Sequence, residues 1–268
     1  MSPYTRDEYI ATINDFYTLL TRLHVPKEAL IHPPQDGWPN ITAEAGSSTG
    51  RSEFVLDLLK HLPYIAGGVE AGVDIHYKCN VVDYSTRFPR DLEDSVMASI
   101  IWDGEEAYYP DEDAEDRWAS KEMPPYTFVL AEGHESYGRA LFLDTKRGKV
   151  IEEMVRAGLA GVWDVVEYFA DLRNSYLTLQ MMPVLGYETV INARGLDDDG
   201  EEEVPTPVRE KTELDDFFPN VRDVYWIRHI YRSHGWPGPE FRREAALRRA
   251  QKYLLFRERD AEYDESEE

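Results

Sequence analysis

The chain has 268 residues, enough for one large domain or one domain with appendages around a sizeable core. Its 52 acidic and 29 basic residues give a formal net charge of −23, which repels nucleic-acid phosphates and anionic lipid and suits a basic protein partner. An aromatic content of 12% fits a globular chain, and a single cysteine, Cys79, excludes an internal disulfide and a cysteine-rich metal cluster.

The opening MSPYTRDEYIATINDF carries charges where a signal peptide needs an apolar core. No window approaches the run of about 18 apolar residues that a membrane span requires. A cytoplasmic or nuclear location is expected. The first helix begins near a Thr5 or Ser2 cap, with Tyr9, Ile13, Phe16, Leu19, Leu20 and Leu23 at three- and four-residue spacing. VPKEALIHPPQDGWPN then reads as a proline-broken extended segment. SEFVLDLLKH, from Ser52 to His61, predicts a second amphipathic helix stopped by Leu62-Pro63.

From Val69 the period changes. VDIHYKCNVVDYS alternates as one strand, and VMASIIW is a short apolar run of strand type. Asp103 to Glu122 is dominated by acids and reads as an exposed loop or poorly ordered insertion. TFVLA and ALFLD are strands, and the turn at Thr145 to Gly148 leads into KVIEEMV as a third. Val162 to Leu179 predicts the strongest helix, with Val162, Val165, Val166, Phe169, Leu172, Tyr176 and Leu179 on one face. DDDGEEE and two prolines mark a linker at 196–216. VRDVYWIRHIYRSHGW and PEFRREAALRRAQKYLLFRERD are two final helices, and AEYDESEE is a disordered tail.

GHESYGRA, from Gly133, has the glycine spacing of a phosphate-binding loop, but Arg139 replaces the lysine and Ala140 the metal-binding hydroxyl. A strand pattern follows where a helix N-terminus should cradle phosphate, so the stretch reads as a hairpin turn. Asp144 to Gly148 reads the same way, Asp144 capping the turn and Gly148 taking positive φ. Its functional alternative makes Lys146 and Arg147 a small basic contact. The run DGEEAYYPDEDAED offers no glycine at the sixth position of a calcium loop, and Pro110 interrupts it. His229 and His234 are off the i, i+4 face of a helical zinc pair, and no G-x-S-x-G is present. Cys79 reads as a small core residue. Trp38, Trp102, Trp163 and Trp236 read as structural.

The stretch FVLAEGHESYGRALFLDTKRGKVIEE, followed by VWDVVEYFADLRNSYL, resembles the C-terminal half of the SUKH superfamily, immunity and cell-wall-signalling proteins related to yeast Smi/Knr. LLKHLPYI is similar to the Leu-Pro element that ends an early helix there. ALIHPPQDGWPNIT and IYRSHGWPGPEFRREAAL resemble a set of filamentous-fungal proteins. The resemblance covers residues 5 to 180, and it implies action by binding other proteins, with no shared catalytic residue.

The expected architecture is α+β: N-terminal helices, a central mostly antiparallel sheet, a packing helix at about 162–179 and an appended C-terminal helical pair. Residues 1–195 form the SUKH-like domain with its acidic insertion at 103–122. An acidic linker at 196–216, the helical pair at 217–259 and a tail at 260–268 complete the chain. The expected function is non-catalytic protein binding through an acidic surface, with Asp111, Glu112, Asp113, Lys146 and Arg147 as candidate partner contacts. No cofactor, metal, nucleic acid or membrane is expected. The alternative is a metal- or carboxylate-dependent hydrolase built from Asp103, Glu105, Glu106 or Asp83, which requires those acids to converge with shifted pKa values.

Overall fold

The computed structural model describes residues 2–88, 102–113, 115–118, 120, 122–196, 205–208 and 218–258. The expected strand at 96–102 therefore falls almost wholly outside the described residues, as do most of the linker at 196–216 and the tail at 260–268. The chain is α+β, with eight α-helices and a six-stranded antiparallel central sheet among the described residues. It divides into two compact units, Met1–Thr21 with Val25–Asp171, and Arg22–His24 with Leu172–Glu268.

In the first unit, helix α1 (Arg6–Leu23) starts at Thr5. The Thr5 hydroxyl accepts the Glu8 N–H at 3.3 Å, and the Glu8 carboxylate accepts the Thr5 N–H at 2.7 Å. This reciprocal capping satisfies two backbone donors that a helix start leaves open. The six apolar residues expected on its inner face are all buried. Helix α2 (Glu53–His61) is capped by Ser52, whose hydroxyl accepts the Val55 N–H, and it buries Val55, Leu58 and Leu59.

The central sheet runs in chain order: β1 (Asp74–His76), β2 (Cys79–Val81), β3 (Thr127–Gly133), β4 (Arg139–Asp144), β5 (Lys149–Met154) and β6 (Gly158–Asp164). Helix α3 (Val165–Leu177) follows directly. Two sequence expectations change. The alternating run from Val73 is a tight hairpin, β1 turning into β2 through Lys78 at φ 46, because a period-2 pattern does not reveal where a chain reverses. Val162 and Trp163 belong to strand β6, so the helix starts at Val165. Asp164 sets that boundary: its carboxylate accepts the Val166 N–H at 3.0 Å, satisfying a helix-start donor.

Directly opposed residues of antiparallel strands share a face. Val129, Phe142 and Ile151 therefore lie on one side of the sheet, and Phe128, Leu143, Val150 and Trp163 on the other. The second side meets helices: Tyr168 of α3 stacks near Trp163 and donates to Glu152 at 3.1 Å, while Phe169 meets Phe16 of α1 at 5.5 Å.

The first side is covered by the stretch expected to be an exposed acidic loop. Trp102 packs edge-on against Phe142 with ring centroids 5.5 Å apart, and against Tyr108 at 4.7 Å. A one-turn helix at Glu105–Tyr108 follows, and Trp102, Glu105 and Tyr108 are buried. Its aromatic residues bury enough area to anchor the segment despite the acids around them.

In the second unit, helix α4 (Val221–Ser233) starts with a capping box between Asn220 and Asp223. Helix α5 (Arg243–Glu258) packs against α4, with Tyr253 and Trp226 6.4 Å apart. Asp223, completely buried, accepts from the Tyr253 hydroxyl at 2.6 Å and pairs with Arg257 at 2.8 Å. Trp236 is also buried, its indole N–H donating to the Tyr176 carbonyl at 3.0 Å. The apolar stripe expected on α4 is buried at Val224, Ile227 and Tyr231, and Trp226 and Ile230 extend it.

Candidate functional site: a carboxylate cage around Arg147

The β4–β5 turn has the expected geometry. The Asp144 carboxylate accepts the Arg147 N–H at 3.0 Å, and Gly148 adopts φ 66. A Cβ at Gly148 would lie 2.6 Å from Pro3 and 2.8 Å from Tyr4, so the absent side chain also admits the N-terminal segment.

Arg147 reaches from this turn into the acidic segment. Its Nε and Nη2 donate to the two Glu112 oxygens at 2.8 and 2.6 Å. Its Nη1 and Nη2 donate to Glu105 at 2.8 and 3.1 Å, and Nη1 also donates to Asp144 at 2.9 Å. A guanidinium carries five N–H donors, so these five bonds use its whole capacity. Tyr109 lies against the cation, 4.1 Å from its ring centroid, and donates its hydroxyl to Asp144 at 2.9 Å. The Tyr126 hydroxyl and the Trp118 N–H donate to Glu105 at 2.7 and 2.6 Å.

The electrostatics follow from this arrangement. Burial pushes Glu105 upward, but hydrogen bonds from Arg147, Trp118 and Tyr126 outweigh it and leave the pKa lowered. Arg147 likewise holds Glu112 below its ordinary value. Asp144 is raised because its burial outweighs the same cation. Desolvation opposes the charge on Arg147, yet its three carboxylates together raise its pKa. The unit binds three acids with one base, and the tyrosine hydroxyls share the surplus negative charge.

The five candidate contact residues thus fall into two sets. Glu112 and Arg147 are bound to each other, whereas Asp111, Asp113 and Lys146 are exposed. Lys146 donates to the Asp116 carbonyl at 2.8 Å and lies 5.0 Å from the Tyr126 ring centroid.

The four acids of the hydrolase alternative are used differently. Asp103 and Glu106 are exposed, and Glu105 is held by Arg147. Asp83 is buried, accepting the Ser85 and Gly67 N–H groups at 2.8 and 3.1 Å. Among the described residues, no group of three or more His, Cys, Asp or Glu side chains is placed to hold a metal ion.

GHESYGRA joins β3 to β4, with Glu135 and Tyr137 at positive φ and no helix after it. Cys79 is buried in β2, where desolvation raises its thiol pKa well above the ordinary value. His234 contacts the Ile230 carbonyl at 2.7 Å, and the His229 ring stacks on Trp226.

Glu153 of β5 was not singled out by the sequence. It is buried at 1% exposure, and that burial pushes its pKa up to about 7, against the pull of the Tyr108 hydroxyl and with a further rise from Asp103. Its signal was the pair Glu152-Glu153: adjacent strand residues point to opposite faces, so a sheet covered on both sides must bury both. Glu152 has Tyr168 and Arg139 as partners, whereas neither Glu153 oxygen meets a hydrogen-bond partner among the described residues within normal bonding distance.

Beside the turn, a cleft of about 600 Å³ is walled by Tyr4, Phe54 and Tyr126 and edged by Arg6, Thr145 and Lys146. Among the described residues, no helix is long and apolar enough to cross a membrane. No family model, no curated protein and no solved structure matches the chain.

Proposed function

We propose that this chain is a non-catalytic, SUKH-like protein-binding domain that presents a fixed acidic surface to a basic partner in the cytoplasm or nucleus. The observation that carries this reading is the saturation of Arg147. Its five donors tie the acidic segment to the β4–β5 turn and leave Asp111 and Asp113 exposed on an anchored stretch of backbone. Anchoring matters because a partner that binds a pre-ordered surface avoids the entropy cost of ordering it. A net charge of −23 adds long-range attraction for a basic protein, raising the association rate more than the final affinity.

The reading predicts salt-sensitive capture. Immobilised full-length chain should retain basic proteins from an extract at low ionic strength and release them at about 0.5 M salt, where the Debye length falls to a few ångströms. Retention of nothing at low salt overturns the reading.

A further inference from the structure

The aromatic cleft differs from the rest of this acidic chain. About one residue in five is Asp or Glu, as 52 of 268, yet none of the ten residues lining the cleft is a carboxylate and two are cations. The two cations are not equivalent. Arg6 is offset by Asp7 at 3.0 Å and Asp57 at 3.2 Å. Lys146 has no ion pair among the described residues. Its one hydrogen bond is to a backbone carbonyl, so two of three ammonium donors remain for another acceptor.

The walls supply the apolar half of a binding site. Tyr4 meets Tyr9 edge-on at 5.6 Å, and Tyr9 meets Phe54 at 6.1 Å, so two of the three wall rings are held through one buried tyrosine. Tyr4 is fixed again by donating to Asp164 at 2.8 Å. Tyr126 is fixed by its bond to Glu105 at 2.7 Å. A pre-formed concave site of several hundred cubic ångströms, mostly apolar with a few polar groups, is the usual form of a small-ligand pocket.

We propose that this cleft binds a small carboxylate with an aromatic or branched apolar body, the body lying among Tyr4, Phe54 and Tyr126 and the carboxylate reaching Lys146. The site is separate from the acidic surface assigned to a protein partner, and either can be absent without affecting the other. Free acids and the C-terminal carboxylate of a peptide share this chemistry.

Titration of the full chain by calorimetry tests it with three anions, 3-phenylpropanoate, octanoate and N-acetyl-Gly-Phe, and with the neutral 3-phenylpropanamide. The expected result is saturable binding of at least one anion, at least about tenfold tighter than the amide, since the ammonium–carboxylate bond is charge-assisted. Lys146→Ala should weaken that anion by about tenfold. Phe54→Ala should also weaken it, whereas Lys149→Ala, on the same hairpin but paired with Asp164 and outside the lining, should not. Tighter binding of N-acetyl-Gly-Phe than of 3-phenylpropanoate assigns the site to a peptide end, and the reverse order to a free acid. Three results overturn the proposal: no saturable binding of any anion at about 10 mM, equal affinity for amide and acid, or binding unchanged by Lys146→Ala in protein that unfolds like the wild type.

Discussion

Arg147 and Glu112 form a two-bonded ion pair, Nε to Oε1 at 2.8 Å and Nη2 to Oε2 at 2.6 Å, that ties the β4–β5 turn to the acidic segment covering the sheet. The same guanidinium holds Glu105 and Asp144, both almost completely buried. Removing a charge from a buried cluster leaves its partners desolvated and uncompensated, a loss of about 3–5 kcal/mol. Arg147→Met should lower the urea midpoint accordingly. Arg147→Lys should recover only part of the loss, because three donors cannot replace a planar array of five. Amide hydrogen exchange at Trp118, whose N–H bonds Glu105, should accelerate in both variants. An unchanged midpoint in Arg147→Met would remove the cage from the account.

Glu153 gives a pH dependence of the opposite sign to an ordinary salt-bridged acid. Its carboxyl has an ordinary pKa of 4.5 and is pushed up to about 7 in the folded chain, chiefly by burial. Between those values the unfolded chain has lost the proton and the folded chain retains it, so stability falls as pH rises from 4.5 to about 7 and then levels. At about 1.4 kcal/mol per pH unit the loss is about 3 kcal/mol. Glu153→Gln cannot ionise, so its advantage over the wild type should grow from pH 4.5 to 8 by that amount. Urea unfolding of both proteins across this range measures the difference. Parallel stability profiles would show that Glu153 does not titrate across this interval.

In the second unit, Asp223 and Arg257 test the helical pair. Asp223 is completely buried between the Asn220 cap, Tyr253 and Arg257. Asp223→Asn leaves the Arg257 cation buried beside a neutral amide and should cost about 3 kcal/mol. Adding Arg257→Met should return part of that loss, giving a negative coupling energy in a double-mutant cycle. Additive losses from the two substitutions would show that the ion pair contributes nothing specific.

The sequence revealed those elements whose signals are local. The Thr5-x-x-Glu8 box, the three- and four-residue spacing from Tyr9 to Leu23, and the Asp144–Gly148 turn each arise within a few residues and appear as expected. Signals that depend on distant partners were hidden. Glu105 and Glu112 read as solvated acids because their counter-charge, Arg147, lies at least 35 residues away in the chain. The acidic stretch concealed Trp102 and Tyr108, whose rings decide where it goes. Strand β6 was absorbed into the following helix because Val162, Val165, Val166 and Phe169 fit a helical stripe, and only the Asp164 cap marks the junction. The Glu152-Glu153 pair was visible, but its consequence required knowing that both faces of the sheet are covered.

The acidic surface itself can be tested by reversing its charge without touching the cage. Asp111 and Asp113 flank Glu112 and are exposed, so Asp111→Lys/Asp113→Lys should leave the unfolding midpoint nearly unchanged, as surface substitutions usually do. The decisive measurement is the affinity of a purified basic protein, captured at low salt, for wild-type and doubly reversed chains at one ionic strength. The account predicts binding at least about tenfold weaker for the reversed chain, mainly through a slower association rate. Equal affinity for the two chains would contradict an acidic surface at this segment as the partner's binding site.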